Sequence, residues 1–321
     1  MLKFLSTLAA LSIIGFAMSI NAFAAGAPSP QELAADSINS LGIDLMHATV
    51  RPNVNALISP YSIETALVMA YAGADGQTRT EMKRVLHLMG EDEETHRSFA
   101  ALQQNLDAVV QRSAERAARM QTYGRTNDSI TLAVANRLFG QQGYDFRAAF
   151  LVLLKTNYHA PFQPMDFVHD ASGATKTIND WVAEQTHQRI QDLIPAGALD
   201  DLTRLVLANA VYFKAPWENP FSETATTPQP FHAGGGEPVN VPTMTLQKSF
   251  GYAKQNGLTI VSLPYSGGEI QFLVILPDDV NGLGKAESDL ASARISDWAN
   301  LPIQPVKLYL PKFKIAPPTL A

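Results

Sequence analysis

The sequence contains no cysteine, which excludes disulfide bonds, thiolate catalysis and metal sites built on thiolates. It also carries little net charge, because 24 basic and 30 acidic side chains leave −6 on 321 residues. A weakly acidic chain of this kind does not favour nucleic acid as a partner. With 46% hydrophobic and 17% charged residues, the composition predicts a globular protein with a sizeable core. The length fits one large domain or two ordinary ones, and no clean boundary divides it.

Common catalytic motifs are missing as well. The chain has no G-x-S-x-G, H-E-x-x-H, P-loop or G-x-G-x-x-G sequence, and no two of its seven histidines have the spacing of metal ligands on a helix. His169 is followed by Asp170, but neighbours in sequence are weak support for catalysis because triads assemble in space. We therefore expect no enzyme, no metal and no cofactor. A hydrolase built from residues far apart in sequence stays the alternative.

Long uncharged apolar runs are confined to the N-terminus. A short positive start is followed by FLSTLAALSIIGFAMSI and then by the small residues of Ala22-Phe23-Ala24. This order is typical of a secretory signal peptide, so we predict that residues 1–24 are removed and that 25–321 form a secreted domain, periplasmic or extracellular. A retained membrane anchor is the alternative. After cleavage no membrane contact is expected, since no later apolar run could span a bilayer.

Helical patterns cluster early in the chain and strand patterns late, which predicts an α+β fold. Ser59 and Pro60 are suited to start a helix, and the apolar stretch 61–71 predicts a helix buried on every side. Leu205–Lys214 predicts a strand covered on both faces, and residues 306–310 alternate as in a half-buried strand. Similar patterns predict helices over 31–47, 80–88, 93–119, 145–158 and 175–190, and strands over 130–136 and 270–276.

One group of charges stands out. Arg112, Arg116 and Arg119 lie at positions i, i+4 and i+7 of a predicted helix, and Arg125 follows just beyond. The common interpretation of such a face is that it is simply solvated. The alternative is a binding site for a polyanion, since clustered arginines bind phosphate and sulfate groups.

Six stretches carry a joint signature: NVNALISPYSIETALVMAYAGADGQT, LAVANRLF, INDWVAEQTHQRIQDLIP, LTRLVLANAVYFKAPWENPF, LPYSGGEIQFLVILPDD and LPKFKI. Together and in this order they resemble the serpin family, over about residues 31–315. Agreement of several independent pieces in one order is hard to reach by chance. The resemblance implies a serpin fold, in which mixed β-sheets combine with a cluster of about eight helices.

The resemblance also implies a mechanism. A serpin offers an exposed reactive loop to a serine or cysteine protease, which cleaves the loop and becomes acylated. The loop then inserts as a new strand into the main sheet and distorts the attached protease. This implies an inhibitor of serine-type endopeptidases that acts as a monomer and is not an enzyme.

Four residues match functional positions of the family. Ser59, Ser62 and Asn179 match the polar shutter under the middle of the main sheet, where the strands must part. Trp181 matches the tryptophan of the breach near the top of the sheet, where insertion begins. Without the resemblance, Ser59 and Asn179 would be interpreted as capping groups and Trp181 as part of the core.

The chain departs from the family most at its end. After LPKFKI the family continues with a helix, a strand that carries a shutter histidine, the reactive loop and the last core strands, none of which we recognise here. We therefore expect a C-terminally truncated sequence without the reactive loop, apparently bacterial because of its short signal. The alternatives to an inhibitor are a non-inhibitory serpin-like binding protein and an inactive remnant.

Overall fold

Helices form most of the first half of the chain and strands most of the second, as predicted for an α+β protein. The computed structural model of the protein describes residues 28–51, 54–124, 128–232 and 237–315, so the predicted signal segment lies outside the described residues. Within these ranges no helix is both long and apolar enough to cross a membrane. The α-helices are α1 (Pro30–Thr49), α2 (Pro60–Tyr71), α3 (Gly76–Val85), α4 (Asp92–Thr122), α5 (Ala148–Tyr158), α6 (Phe167–Gln185), α7 (Leu283–Ser288) and α8 (Ser292–Trp298). The strands are β1 (Thr131–Gln141), β2 (Phe162–Met165), β3 (Leu205–Lys214), β4 (Thr227–Phe231), β5 (Val239–Gln255), β6 (Leu258–Pro264), β7 (Gln271–Pro277) and β8 (Ile303–Pro311).

The first sheet has three strands in the order β2-β1-β3. β1 runs parallel to β2 and antiparallel to β3, and the β1–β3 ladder extends from Thr131 opposite Lys214 to Gly140 opposite Leu205. Helices cover both faces of this sheet. Leu207 and Val211 of β3 pack against the core of α1, α2, α4 and α5, whereas Ala208 and Ala210 pack against α6. Odd and even positions of β3 therefore contact different layers, as the alternation of side chains along a strand requires.

Two predictions about burial need correction. β3 is covered on both faces as predicted, but apart from Ala208 and Ala210 its side chains are only partly buried or exposed. The reason is that β3 lies at the edge of the sheet and pairs with no further strand among the described residues. The prediction that α2 is buried on every side is wrong. Ile63 and Leu67, one turn apart, are 36% and 38% exposed and form an outward-facing row.

The second sheet has five strands, in which β4, β5, β6 and β7 are neighbours in that order and β8 also pairs with β5. One face carries Phe250, Val261 and the alternating residues of β8, so the predicted half-buried strand at 306–310 is confirmed. The other face packs against α8 and the end of α1, with Trp298 at its centre. The strand predicted over 270–276 is confirmed as β7.

α6 begins earlier than the sequence pattern predicts. The pattern starts at residue 175, but the helix starts at Phe167 because the Asp166 carboxylate caps it by accepting a hydrogen bond from the His169 backbone N–H at 3.1 Å. Asp170 has non-helical backbone angles and kinks the first turns. The helix ends at Gln185, and the next turn contains His187 and Gln188 at positive φ.

Candidate functional site

The middle of the β1–β3 ladder carries a chain of polar side chains beneath α2. Ser62 on α2 donates its hydroxyl proton to Oδ1 of Asn209 in β3. Asn209 Nδ2 donates to Oδ1 of Asn136 in β1 at 2.6 Å, and these two asparagines lie directly opposite each other in the ladder. Asn136 Nδ2 donates in turn to the backbone carbonyl of Tyr158 at 2.9 Å. We call Ser62, Asn209, Asn136 and the Tyr158 carbonyl the Ser62 network.

All hydrogen bonds of the Ser62 network point the same way, from α2 across both strands to the end of α5. Bonds aligned in a chain polarise one another and strengthen the whole network. Asn136 is 8% exposed, so the loss of any partner would leave an amide unsatisfied in the interior. The network therefore connects helix α2 to strands β1 and β3 by polar contacts.

A buried histidine extends this region towards α4. The Tyr158 hydroxyl lies 2.6 Å from Nδ1 of His96, which is 4% exposed. Burial lowers the pKa of His96 to about 4, so the ring is neutral at neutral pH. Burial also raises the pKa of the Tyr158 hydroxyl, which stays protonated.

The other two predicted shutter residues do not join the Ser62 network. Ser59 is the N-cap residue of α2, but its hydroxyl makes no capping hydrogen bond and the residue is exposed. Asn179 on α6 holds the backbone of Ile194 in both directions, because its Nδ2 donates to the carbonyl at 2.9 Å and its Oδ1 accepts from the N–H at 2.8 Å. Asn179 therefore anchors the segment after α6. The shutter roles of Ser59 and Asn179 stay predictions.

The predicted breach residue lies at one end of the first sheet. Trp181 on α6 is 7% exposed and meets the ring of Phe139 edge-on, with 5.7 Å between ring centroids. The Arg137 guanidinium lies over the same indole at 5.1 Å. Phe139 pairs with Val206 near the start of β3, so Trp181 covers the end of the ladder where β3 begins.

A different tryptophan lies beyond the opposite end of β3. Trp217 forms a β-bridge with Tyr265 and stacks on its ring, with 4.5 Å between centroids and 9° between planes. Trp217 thereby connects the end of β3 to the second sheet. Sequence reasoning used Trp217 only as part of a matching stretch, although its place just after a buried strand was the available signal.

The predicted basic face of α4 is largely neutralised. Arg112 and Arg116 both pair with Glu269, at 2.6 Å and 3.1 Å. Arg119 is exposed, and Arg125 lies outside the described residues. A polyanion on this face would have to displace the Glu269 carboxylate, and the hypothesis stays a prediction.

The histidine that is followed by a carboxylate in the sequence pairs with a different carboxylate in the structure. His169 contacts Asp166 at 3.0 Å rather than Asp170, whose carboxylate accepts from the Gly173 N–H at 2.8 Å. Among the described residues no group of three or more histidine, aspartate or glutamate side chains is placed to hold a metal ion. The observed contacts do not join His169 to Asp170 as neighbours in one hydrogen-bonded pair.

Comparison with protein families gives a match to the model described as "Serpin (serine protease inhibitor)" over residues 36–318. The chain belongs to the serpin family. It is 36% identical over 273 residues to the bovine (Bos taurus) leukocyte elastase inhibitor, an alignment that covers 82% of this serpin and 67% of that protein. An uncharacterized serpin-like protein of Thermococcus kodakarensis is 38% identical over 280 residues, which cover 87% of this chain and 61% of that one.

Solved structures of other serpin-fold proteins are similar to the structure of this serpin. Emu (Dromaius novaehollandiae) ovalbumin matches with a TM-score of 0.74 at 27% identity, over 90% of this chain and 74% of that one. A cleaved serpin, Serpin 42Da, matches with a TM-score of 0.72 at 32% identity, over 88% and 71% of the respective chains. The predicted serpin fold, with mixed sheets and about eight helices, is confirmed. Family membership also confirms that the protein is a protease inhibitor by class rather than an enzyme.

Other predictions fare differently. The prediction of secretion is wrong, because the relatives are leukocyte elastase inhibitors, which are intracellular serpins. The predictions of a bacterial source and of truncation gain no support, since the matches include vertebrate proteins and an archaeal one. The division at residue 25, the monomeric state and the lack of membrane contact stay predictions.

Proposed function

We propose that the complete protein, with its reactive loop, inhibits a serine protease of the elastase type by the suicide-trap mechanism, and that the Ser62 network is the polar latch under the strands that must part. The target class is taken from the mammalian relatives, which are named as inhibitors of leukocyte elastase. One observation supports the assignment of the Ser62 network as the latch: the hydrogen bonds run without a break from Ser62 through Asn209 to Asn136.

The geometry of β3 supports this function. A trap of this type needs a strand that can accept a new neighbour, and β3 has one edge that pairs with no strand among the described residues. Unpaired N–H and C=O groups along such an edge are a template for strand addition. The Ser62 network reaches β3 at Asn209, near its middle, where polar partners can exchange while the neighbouring strand settles.

The test is formation of a covalent complex. The complete protein, purified from its native source, is incubated with leukocyte elastase and, separately, with trypsin-like, chymotrypsin-like and subtilisin-like proteases, and each mixture is boiled in SDS. A band at the summed mass of protein and protease, less the fragment that cleavage of the reactive loop releases, is expected with elastase. The same protease with its active-site serine blocked beforehand is the control and should give no such band.

Two results would overturn the proposal. Degradation of the protein without any SDS-stable complex would favour the alternative of a non-inhibitory serpin-like protein. A complex with another protease but none with elastase would retain the trap and reject the target class.

The Ser62 network makes a separate prediction about stability. Ser62→Ala removes the donor to Asn209 and is expected to lower the free energy of unfolding by about 0.5–1.5 kcal/mol, the net contribution of a typical hydrogen bond, since both side chains are partly buried. Ser59→Ala is the matched control three residues away and should change stability by no more than about 0.5 kcal/mol, since Ser59 is exposed and makes no capping bond. Urea denaturation of both variants measures the difference. Equal values for the two would show that the network contributes nothing to stability.

A further inference from the structure

A surface cavity of about 350 Å³ lies between α3 and the start of α4, well away from the Arg112 face at the other end of that helix. Its wall contains three cationic side chains, those of Arg79, Lys83 and Arg84, and one carboxylate, that of Asp92. A lining with two more positive than negative charges is notable on a chain whose net charge is −6.

Two of the cations are fixed in place by the protein. Arg79 Nε donates to Asp92 at 3.0 Å, and its Nη1 donates to the Ala74 carbonyl at 3.0 Å. Lys83 Nζ donates to the Gly90 carbonyl at 2.7 Å. Since a guanidinium has five N–H donors and an ammonium three, each side chain keeps donors to spare.

The third cation is uncommitted. Arg84 is exposed and makes no ion pair with any residue that the structure describes. Asp92, by contrast, already accepts from Arg79 and from the Tyr71 hydroxyl, and its pKa is held below the usual range chiefly by the Tyr71 hydrogen bond and by Arg79. Asp92 also lies 3.9 Å from Lys83 Nζ, so one carboxylate faces two cations while Arg84 makes no ion pair among the described residues.

We propose that this cavity binds a phosphate or sulfate group carried on a small organic molecule. Arginine and lysine donors on one wall suit an oxyanion, and the positive end of α4, which begins at Asp92, lies at the same place. The cavity is larger than one oxyanion requires. Thr80 and Leu88 complete the accessible wall, since Tyr71 is 0% exposed and its ring lies under the Arg79 guanidinium. The volume that the oxyanion leaves free can hold the organic part.

The experiment measures binding of three probes to the full chain: inorganic phosphate, inorganic sulfate and phenyl phosphate. Isothermal titration calorimetry is carried out at constant ionic strength set with chloride. Saturable binding is expected, with phenyl phosphate tighter than inorganic phosphate because the phenyl ring fills the volume that the phosphate group leaves free. The comparison of phosphate with sulfate identifies which of the two groups the cavity prefers.

Arg84→Gln is expected to weaken phenyl phosphate binding about tenfold, the effect of losing one charge-assisted hydrogen bond. Lys176→Gln is the control, because it removes one exposed positive charge on α6, where Lys176 pairs with Asp180. Lys83→Gln provides a second variant at the cavity and should weaken binding similarly. Absence of saturable binding by all three probes, or equal affinity of the Arg84 and Lys176 variants, would overturn the proposal.

Discussion

Replacing Glu64 by glutamine is expected to raise the free energy of unfolding at pH 8 by about 4 kcal/mol and to change it little near pH 4.5. Glu64 on α2 is 0% exposed, and both of its carboxylate oxygens lack a hydrogen-bond partner among the described residues. Burial raises the pKa of Glu64 from 4.5 to about 8. A neutral amide at this position never has to lose a proton in the interior.

The direction of the pH dependence follows from this shift. Because the folded-state pKa lies above the unfolded-state value, the folded protein holds the proton of Glu64 more tightly than the unfolded chain does. The stabilisation is fully present below pH 4.5 and is lost progressively as the pH rises towards 8. Each tenfold difference in proton affinity corresponds to about 1.4 kcal/mol.

Urea denaturation of the wild-type protein and Glu64→Gln at pH 5, 6.5 and 8 measures the effect. The wild-type protein should lose stability across this range relative to the variant. Glu93→Gln is the control, since the Glu93 side chain is 83% exposed and its replacement should leave the pH profile unchanged. Parallel profiles for the wild-type protein and Glu64→Gln would contradict the prediction.

Trp181→Ala is expected to lower the free energy of unfolding by about 3–5 kcal/mol, in the range measured for removal of large buried side chains. The substitution removes the indole that packs edge-on against Phe139 and under the Arg137 guanidinium. It thereby detaches the C-terminal part of α6 from the start of β3. The loss should appear as a lower denaturation midpoint with an unchanged slope.

Trp181→Phe separates packing from the specific aromatic contacts. A phenyl ring keeps the edge-on contact with Phe139 and most of the apolar volume, so it should recover more than half of the lost stability. A cost for Trp181→Ala as small as that of an exposed site, within about 0.5 kcal/mol, would show that α6 is not anchored by this residue.

Sequence reasoning found elements whose pattern is local. The alternation in β8 and the apolar run of β7 are set by neighbouring residues, and both strands were predicted close to their observed positions. The start of α6 was missed because it depends on capping by Asp166 and on a kink at Asp170, which interrupt the helical pattern before residue 175.

The candidate site was harder to predict because its contacts are distant in sequence. Asn136 and Asn209 are 73 residues apart, and Ser62 and Asn209 are 147 apart, so spacing offers no signal for the Ser62 network. The resemblance to the serpin family predicted Ser62 and Asn179 as shutter residues together. In the structure Ser62 belongs to the Ser62 network, and Asn179 lies outside it. In α2 the apolar pattern gave the wrong burial for three residues. The acidic side chain of Glu64 is buried, whereas the apolar side chains of Ile63 and Leu67 face outwards.

The long strand β5 has a consequence for how the chain folds during synthesis. β5 pairs with β4 at its first residues, with β8 along its middle and with β6 at its end. Thr243 of β5 lies opposite Pro311 of β8, so the middle of β5 lacks this hydrogen-bonding partner until the ribosome has added 68 further residues. Because β8 is the last of the described strands to be synthesised, the second sheet should be completed last, and this part of β5 stays unpaired while the chain emerges.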